Sequence, residues 1–338
     1  MGENKGMQNS KSAKPVVEAG ILSAIIVVLM IVNFTFPVLG TISMFILPIP
    51  MTILTVKHDV KIAFVALLAS TILGSVLIGP IAAGSTLFLY GPIGITLGYC
   101  VKRGVEAASS IQLTIIGALV GIIGQILIYA YLIMGTNLKG ALRGFYDIIM
   151  ESVSMTKEMY ESLGVSLEGN PAFDMLSAFT FEDFLLLIIP VALVTAIVMA
   201  FLNYIISRYI LRRMNIQLKP LPRFSEWYID NRYLAGLIIF LCLGIILQRS
   251  DIYLGEYFEV TAMYLLNLVL TVIGISAVSY FFMNKLHVSR MFTVIILIFI
   301  FNSFGAILMI FGFVETIMDG RDIAPASLRK LITSKFEK

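Results

Sequence analysis

Neutral polar side chains stand inside long apolar segments of this sequence, and they are the residues best suited to bind a polar molecule there. They are amides and phenols: Asn33, Tyr90, Gln125, Tyr129 and Asn203. Such groups can hold neighbouring helices together, for roughly 0.6–2 kcal/mol each, or they can line a cavity that takes up a solute. Gln125 and Tyr129 are four residues apart and therefore share one face of a helix. The residue types leave both interpretations open.

A proline in the middle of the fourth apolar segment marks a second group of candidates. Pro92 removes one backbone donor and frees the carbonyl of Phe88, so we expect a kink. Freed backbone groups beside a tyrosine can form a binding site, and a kink can equally serve packing alone. Together the two groups give these candidate solute-binding residues: Asn33, Tyr90, Gly91, Pro92, Gly94, Gln125, Tyr129 and Asn203.

Sequence motifs of enzymes are absent. The chain contains no G-x-x-x-x-G-K-[ST], H-E-x-x-H or G-x-S-x-G run, and its two histidines, His58 and His287, are predicted to lie in solvated loops. We therefore expect no catalytic residues, no metal site, no cofactor and no enzymatic activity. The charged residues lie at or near segment ends, which argues against a self-powered ion-coupled pump.

The composition places the chain in a membrane. Of its 338 residues 59% are hydrophobic and only 13% are charged, whereas a soluble domain has about 45–50% apolar and about 25% charged residues. The net charge of +3 is small, so nucleic acid is not expected as a partner.

Apolar segments recur along the whole chain and predict an all-α, polytopic membrane protein with about eight to ten transmembrane segments. We expect a polar tail at 1–15, a six-segment core at 16–211, a basic linker at 212–232, further membrane segments at 233–318 and a tail at 319–338. The nine segments lie near 16–38, 40–56, 62–79, 81–101, 111–134, 184–207, 233–247, 258–284 and 291–318.

Charge alternates between the connections and predicts their sides of the membrane. The connection after the sixth segment carries six basic and two acidic residues, whereas the 135–183 loop carries three basic and eight acidic ones. Basic connections tend to stay in the cytoplasm, so we predict a cytoplasmic N-terminus and an outer 135–183 loop. A basic tail outside would break this rule. Because Asn302, Ser303 and Gly305 divide the last segment, we predict a hairpin that returns the tail to the cytoplasm.

The outer loop contains an amphipathic helix. Its apolar residues recur every three to four positions at Leu138, Leu142, Phe145, Ile149 and Val153. Such a helix could lie among the lipid headgroups or close over an outward-facing pocket as a lid.

The first segment carries small residues at the spacing that lets two helices approach closely. These are Ala19 with Ser23 and Gly20 with Ala24. They can serve packing within the chain or docking to another membrane protein, and they are our candidate partner-docking residues.

Several of these features resemble the YybS-like family of uncharacterised bacterial membrane proteins. The resemblance rests on five runs: Val17 to Ala24, Leu47-Pro48-Ile49-Pro50, Gly79-Pro80, Gly91-Pro92-Ile93-Gly94, and Gly312 to Asp319 followed by Arg321.

That family is similar in its first six helices to the substrate-binding (S) subunits of energy-coupling-factor transporters. Those subunits bind vitamins or metal ions and depend on a membrane subunit and ATPases for energy. The resemblance implies a solute-binding, cell-membrane transport component and places Ala19 and Ser23 on the docking face. The C-terminal segments depart from that pattern, so a non-transporting scaffold or cell-envelope assembly factor is the alternative.

Overall fold

The computed structural model describes residues 3–167 and 169–323, with side chains for 15–36, 38–40, 42–167 and 169–323. These residues form helices and connecting turns, with no strand among them. Nine of the described helical stretches are long and apolar enough to cross a membrane. The predicted class, an all-α polytopic membrane protein, is confirmed. The basic tail residues Arg329, Lys330, Lys335 and Lys338, and Glu168, lie outside the described residues.

The chain divides into two compact units. The first unit comprises 1–181 and 195–220, and the second comprises 182–194 and 221–338. The division near residue 220 lies within the linker predicted at 212–232. Residues 182–194 are the first part of the long helix Phe181–Arg213. The predicted boundaries placed them with the rest of the core, because the hydropathy of that helix is continuous.

The first unit contains most of the helices. Their bounds are α1 (Glu3–Thr35), α2 (Pro37–Ile46), α3 (Ile49–Lys57), α4 (Val60–Ile78), α5 (Pro80–Ser85), α6 (Gly91–Lys102), α7 (Ala107–Ile128), α8 (Leu138–Ser162), α9 (Pro171–Ser177) and the C-terminal part of α10 (Phe181–Arg213). Short π-helical turns at Thr86–Tyr90 and Tyr129–Ile133 continue α5 and α7.

Glycines on α6 allow the closest helix contacts of the first unit. A Cβ atom added to Gly94 would meet the carbonyl oxygen of Pro48, and one added to Gly98 would come within 2.6 Å of the Thr55 side chain. The Thr52 hydroxyl donates to the Gly94 carbonyl at 3.1 Å across the same contact. Small residues and hydroxyl groups therefore join α3 to α6, as is typical of packing between membrane helices.

The second unit is built on α11 (Asn231–Arg249), α12 (Leu254–Tyr280) and α13 (Arg290–Met318). Gly244 of α11 contacts the backbone of α12 at Glu259. Gly274 of α12 and Gly312 of α13 each face a carbonyl of the other helix, those of Leu308 and Leu270. These glycines bring the three helices together at the level of their backbones.

The helix α13 is kinked near its middle. Phe304 has non-helical angles (φ −139°, ψ 37°) within a helix of 29 residues, which would be about 43 Å long if it were straight. Its first residue, Arg290, lines a cavity together with Ser225, and Arg321, just beyond its end, donates to the Ser225 carbonyl at 2.8 Å. Both ends of α13 therefore lie near the same short segment, and the hairpin stays a prediction.

Candidate functional site

Two of the candidate residues, Asn33 and Tyr90, meet inside the first unit. Tyr90 is only 7% exposed, and its side chain lies beside Asn33. The Ser43 hydroxyl donates to the Asn33 side-chain oxygen at 3.1 Å. The three residues thus lie together where α1, α2 and the turn before α6 meet.

Gly91, Pro92 and Gly94 lie in tight helix contacts. The Leu67 side chain fills the space beside Gly91, and α3 fills the space beside Gly94. The carbonyl of Phe88, which was expected to be freed by Pro92, lies 2.9 Å from the position of a Cβ atom on Gly121 of α7. In place of the expected kink, a π-helical turn runs directly into α6, and these backbone groups pack against neighbouring helices and do not face open space. The sequence could not show which neighbour each glycine meets.

Gln125 and Tyr129 join α7 to two different parts of the first unit. The Gln125 amide nitrogen donates to the Ser85 hydroxyl at 2.8 Å, and its oxygen Oε1 is buried without a hydrogen-bond partner. The Tyr129 ring stacks on Phe145 of α8 with 4.5 Å between ring centroids. The predicted amphipathic helix is therefore present as α8, and it packs on the end of α7.

Asn203 lies on α10 and forms no hydrogen bond with the other candidates. It is fully buried, and its amide nitrogen donates to the Met199 carbonyl of its own helix at 3.0 Å. Its oxygen Oδ1 has no partner, and neither does the hydroxyl of Ser207 one turn later, which is also fully buried. Ser207 was not predicted, although its position four residues after Asn203 places it on the same face of the helix.

The candidate docking residues point in two directions. Ser23 is buried and donates to the Ala66 carbonyl at 3.1 Å, and Ala19 packs on the core. Gly20 and Ala24 are exposed, and nothing lies within 4 Å of a Cβ atom placed on Gly20. The pair that the resemblance placed on a partner surface therefore packs inside the chain, because it faces α4, and the neighbouring pair faces outward.

His58 is not the solvated loop residue that the sequence predicted. Its side chain is 12% exposed, and its Nε2 atom lies 2.9 Å from a carboxylate oxygen of Glu18, which also pairs with Lys57 at 3.5 Å. These contacts fasten the start of the α1 span to the end of α3. This pairing could not be predicted from the sequence, because the partners are forty residues apart.

A buried ion pair in the second unit also went unpredicted. Arg321 donates from Nε to Glu315 at 2.8 Å, with side-chain exposures of 2% and 7%. It also donates to the carbonyls of Ser225 and Trp227 and to the Ser276 hydroxyl. The signal that could have revealed it is Glu315, an acidic residue inside the last apolar segment.

A large cavity adjoins this ion pair and belongs wholly to the second unit. It has a volume of about 930 Å³, and its walls come from α12, the first half of α13 and the segment that contains Phe224 and Ser225. Arg223 and Arg290 lie at its polar end, whereas Leu297 and Phe301 belong to its apolar end. None of the candidate residues lines it.

Comparisons with known proteins agree with this architecture. Residues 24–316 match a family described as "Predicted membrane protein (DUF2232)". The chain is also 24% identical over 241 residues to the "Uncharacterized protein YybS" of Bacillus subtilis (strain 168), which covers 69% of this chain and 74% of that protein. No solved structure matches the chain. Since the match spans most of its length, the chain belongs to the DUF2232 family of membrane proteins.

Proposed function

We propose that this multi-pass membrane protein is a solute-binding component of a transporter that receives its energy from partner subunits. One observation carries the proposal: the buried Oε1 atom of Gln125 in the first unit has no hydrogen-bond partner, while the Gln125 amide nitrogen donates to the Ser85 hydroxyl. Leaving a buried polar group unpaired costs about 1–3 kcal/mol, so such atoms call for a partner such as a bound ligand or a water molecule.

The chemistry of these atoms indicates the class of ligand. An amide oxygen accepts hydrogen bonds and a hydroxyl both donates and accepts, and neither carries charge. A small polar solute that is neutral or zwitterionic fits such groups better than an isolated ion does, because an ion within a membrane needs charged or densely packed polar partners.

The outer helix α8 supports this function by its position. The Tyr129–Phe145 stack seats α8 on the end of α7, one turn beyond Gln125. The Tyr146 hydroxyl donates to the Phe179 carbonyl at 2.9 Å and ties α8 to the chain that leads back into the membrane. We infer that α8 covers the outer end of the site and leaves it accessible when these contacts open.

The proposed location is a bacterial inner membrane with the N-terminus in the cytoplasm. The distribution of charge between the connections supports this orientation. The absence of an ATP-binding sequence motif supports a separate source of energy, with ATPase subunits among the expected partners. Gly20 and Ala24, which face outward from α1, are the part of the predicted docking surface that a membrane partner can reach.

A thermal-shift screen of the detergent-purified protein tests the proposal. The compounds are vitamins, nucleobases, amino acids and metal ions, and a ligand present at 100 times its Kd should raise stability by about 2.7 kcal/mol. Gln125→Ala should abolish the shift while the protein remains folded. Asn302→Ala is the matched control, because Asn302 is an exposed amide of α13 that bonds only to its own helix, at Ile298.

The alternative function is a non-transporting scaffold or cell-envelope assembly factor. The specific observation in its favour is that most candidate groups, such as Asn33 with Tyr90 and Ser23 with Ala66, are used for internal packing. A flat screen on a folded sample, with Gln125→Ala merely lowering the unfolding temperature, would contradict the transport proposal and favour the scaffold.

A further inference from the structure

The cavity of the second unit is polar at one end and apolar at the other. On α13, Arg290 lies at the polar end and Phe301 at the apolar end, and their separation of eleven positions in the sequence corresponds to about 16 Å along a helix. The opposite wall changes in the same direction, from Asn284, in the π-helical turn Phe281–Lys285 that follows α12, to Ile275 of α12. The cavity therefore has the polarity gradient of an amphiphile along its length.

Two arginines at the polar end have no acidic partner. Arg223 and Arg290 are both exposed, and neither forms an ion pair among the described residues. No aspartate or glutamate lines the cavity. Arg321 differs from them, because Glu315 already neutralises its charge. The polar end thus carries two positive charges that are available to an anion.

The start of α13 adds to the attraction for an anion. Arg290 is the first residue of this helix, and the side chain of Ser289 before it does not cap the helix. The first backbone N–H groups of a helix have no partner within the helix and favour negative charge. Ser289, which lines the same end, can donate from its hydroxyl group, whereas the Thr293 hydroxyl already donates to the Ser289 carbonyl at 3.0 Å.

We propose that this cavity binds an anionic phospholipid, with its phosphate between Arg223 and Arg290 and an acyl chain along Leu297 and Phe301. Charge complementarity with the anionic inner leaflet and the apolar wall both support a lipid as the occupant. Basic pockets between membrane helices on the cytoplasmic side are a known setting for anionic headgroups. The inference goes beyond the proposed function, because none of the proposed solute-binding residues lines the cavity.

The buried ion pair holds one wall of this site in place. Arg321 donates to the carbonyl of Ser225, and the Ser276 hydroxyl donates to the carbonyl of Phe224 at 2.6 Å. Phe224 also packs edge-on against Trp227 at 5.1 Å between ring centroids. The segment beside Arg223 is therefore fixed before a lipid arrives, which lowers the entropic cost of binding.

Native mass spectrometry of the full-length protein in detergent tests the proposal, with phosphatidylglycerol and phosphatidylcholine as the two probes. We expect phosphatidylglycerol to bind more tightly, and Arg223→Gln or Arg290→Gln to weaken it by about tenfold. Arg249→Gln is the matched control, because Arg249 ends α11 and does not line the cavity. Equal binding of the two lipids, or an equal effect of all three variants, would overturn the proposal.

A second variant separates a lipid from a free phosphate. Ile298 lines the apolar end and is 58% exposed, so Ile298→Trp should fill the groove without disturbing the core. It should weaken the binding of phosphatidylglycerol by about tenfold, which corresponds to the loss of a few buried methylene groups. Any binding of inorganic phosphate should stay unchanged. If phosphate competes fully with the lipid and Ile298→Trp has no effect, the site recognises phosphate alone and the lipid assignment is wrong.

Discussion

Arg321 shows how one residue can hold several segments of the second unit together. Its guanidinium group is almost fully buried and donates to a carboxylate, a hydroxyl and two backbone carbonyls. A buried charge is tolerated only when it is paired and its donors are satisfied. The fixed fork of five N–H groups allows arginine to meet these partners at once, which a lysine ammonium group cannot do.

Replacement of Arg321 should therefore destabilise the protein strongly. We expect Arg321→Ala to lower the free energy of unfolding by about 3–5 kcal/mol, because it leaves Glu315 buried without a partner. Arg321→Lys should also be destabilising. Denaturant unfolding of the purified protein, followed by tryptophan fluorescence, measures the change.

The control for this prediction is an exposed ion pair. Lys219 lies 3.2 Å from Glu106, with side-chain exposures of 51% and 73%, and exposed pairs of this kind contribute little. Lys219→Ala should leave the unfolding midpoint nearly unchanged. If Arg321→Ala behaves like Lys219→Ala, the buried network does not stabilise the fold.

At the scale of secondary-structure elements, glycines determine which helices can pack closely together. Gly274 and Gly312 lie where α12 and α13 approach at backbone distance, each facing a carbonyl of the other helix. Close approach of this kind gains van der Waals contact and weak Cα–H···O interactions, which are the principal attractions between helices in a membrane.

Alanine at this crossing should force the helices apart. We expect Gly274→Ala or Gly312→Ala to destabilise the protein by about 1–3 kcal/mol, or more, since the added methyl group overlaps rigid backbone. Gly236→Ala is the control, because nothing lies within 4 Å of a Cβ atom at that helical position; there alanine should be neutral or stabilising. Thermal unfolding of the three variants measures the difference, and equal midpoints would contradict the proposed crossing.

The sequence predicted elements better than it predicted sites, for a physical reason. Segment number and the helix α8 follow from hydropathy and periodicity, which are local properties of the chain. Which neighbour Ser23 or Gly94 contacts depends on how the helices pack, and no local sequence pattern indicates it. The structure places Asn33 beside Tyr90, packs Gly91 and Gly94 against neighbouring helices and pairs Glu315 with Arg321, and none of these contacts follows from a local pattern.

At the scale of the whole molecule, the distribution of charged residues and the bend in α13 favour the same membrane topology. If the ninth span were straight, the end of α13 would lie on the opposite side of the membrane from its beginning. The bend at Phe304 instead brings Arg290 and Arg321 to the same segment, 223–227. This agrees with the predicted cytoplasmic position of the basic tail, because basic residues near span ends tend to remain inside.

Single-cysteine labelling can test this topology in cells and in inverted membrane vesicles. The background replaces Cys100 and Cys242 by serine, so that each introduced cysteine is the only thiol of the protein. With a membrane-impermeant maleimide, Ser289→Cys and Ile323→Cys should both react only in inverted vesicles, because the predicted topology places both ends of α13 in the cytoplasm. Ser162→Cys, at the end of the outer helix α8, should react only in intact cells and is the control for sidedness. Reaction of Ile323→Cys in intact cells, with Ser289→Cys still protected, would mean that α13 crosses the membrane once and that the bend does not return the chain.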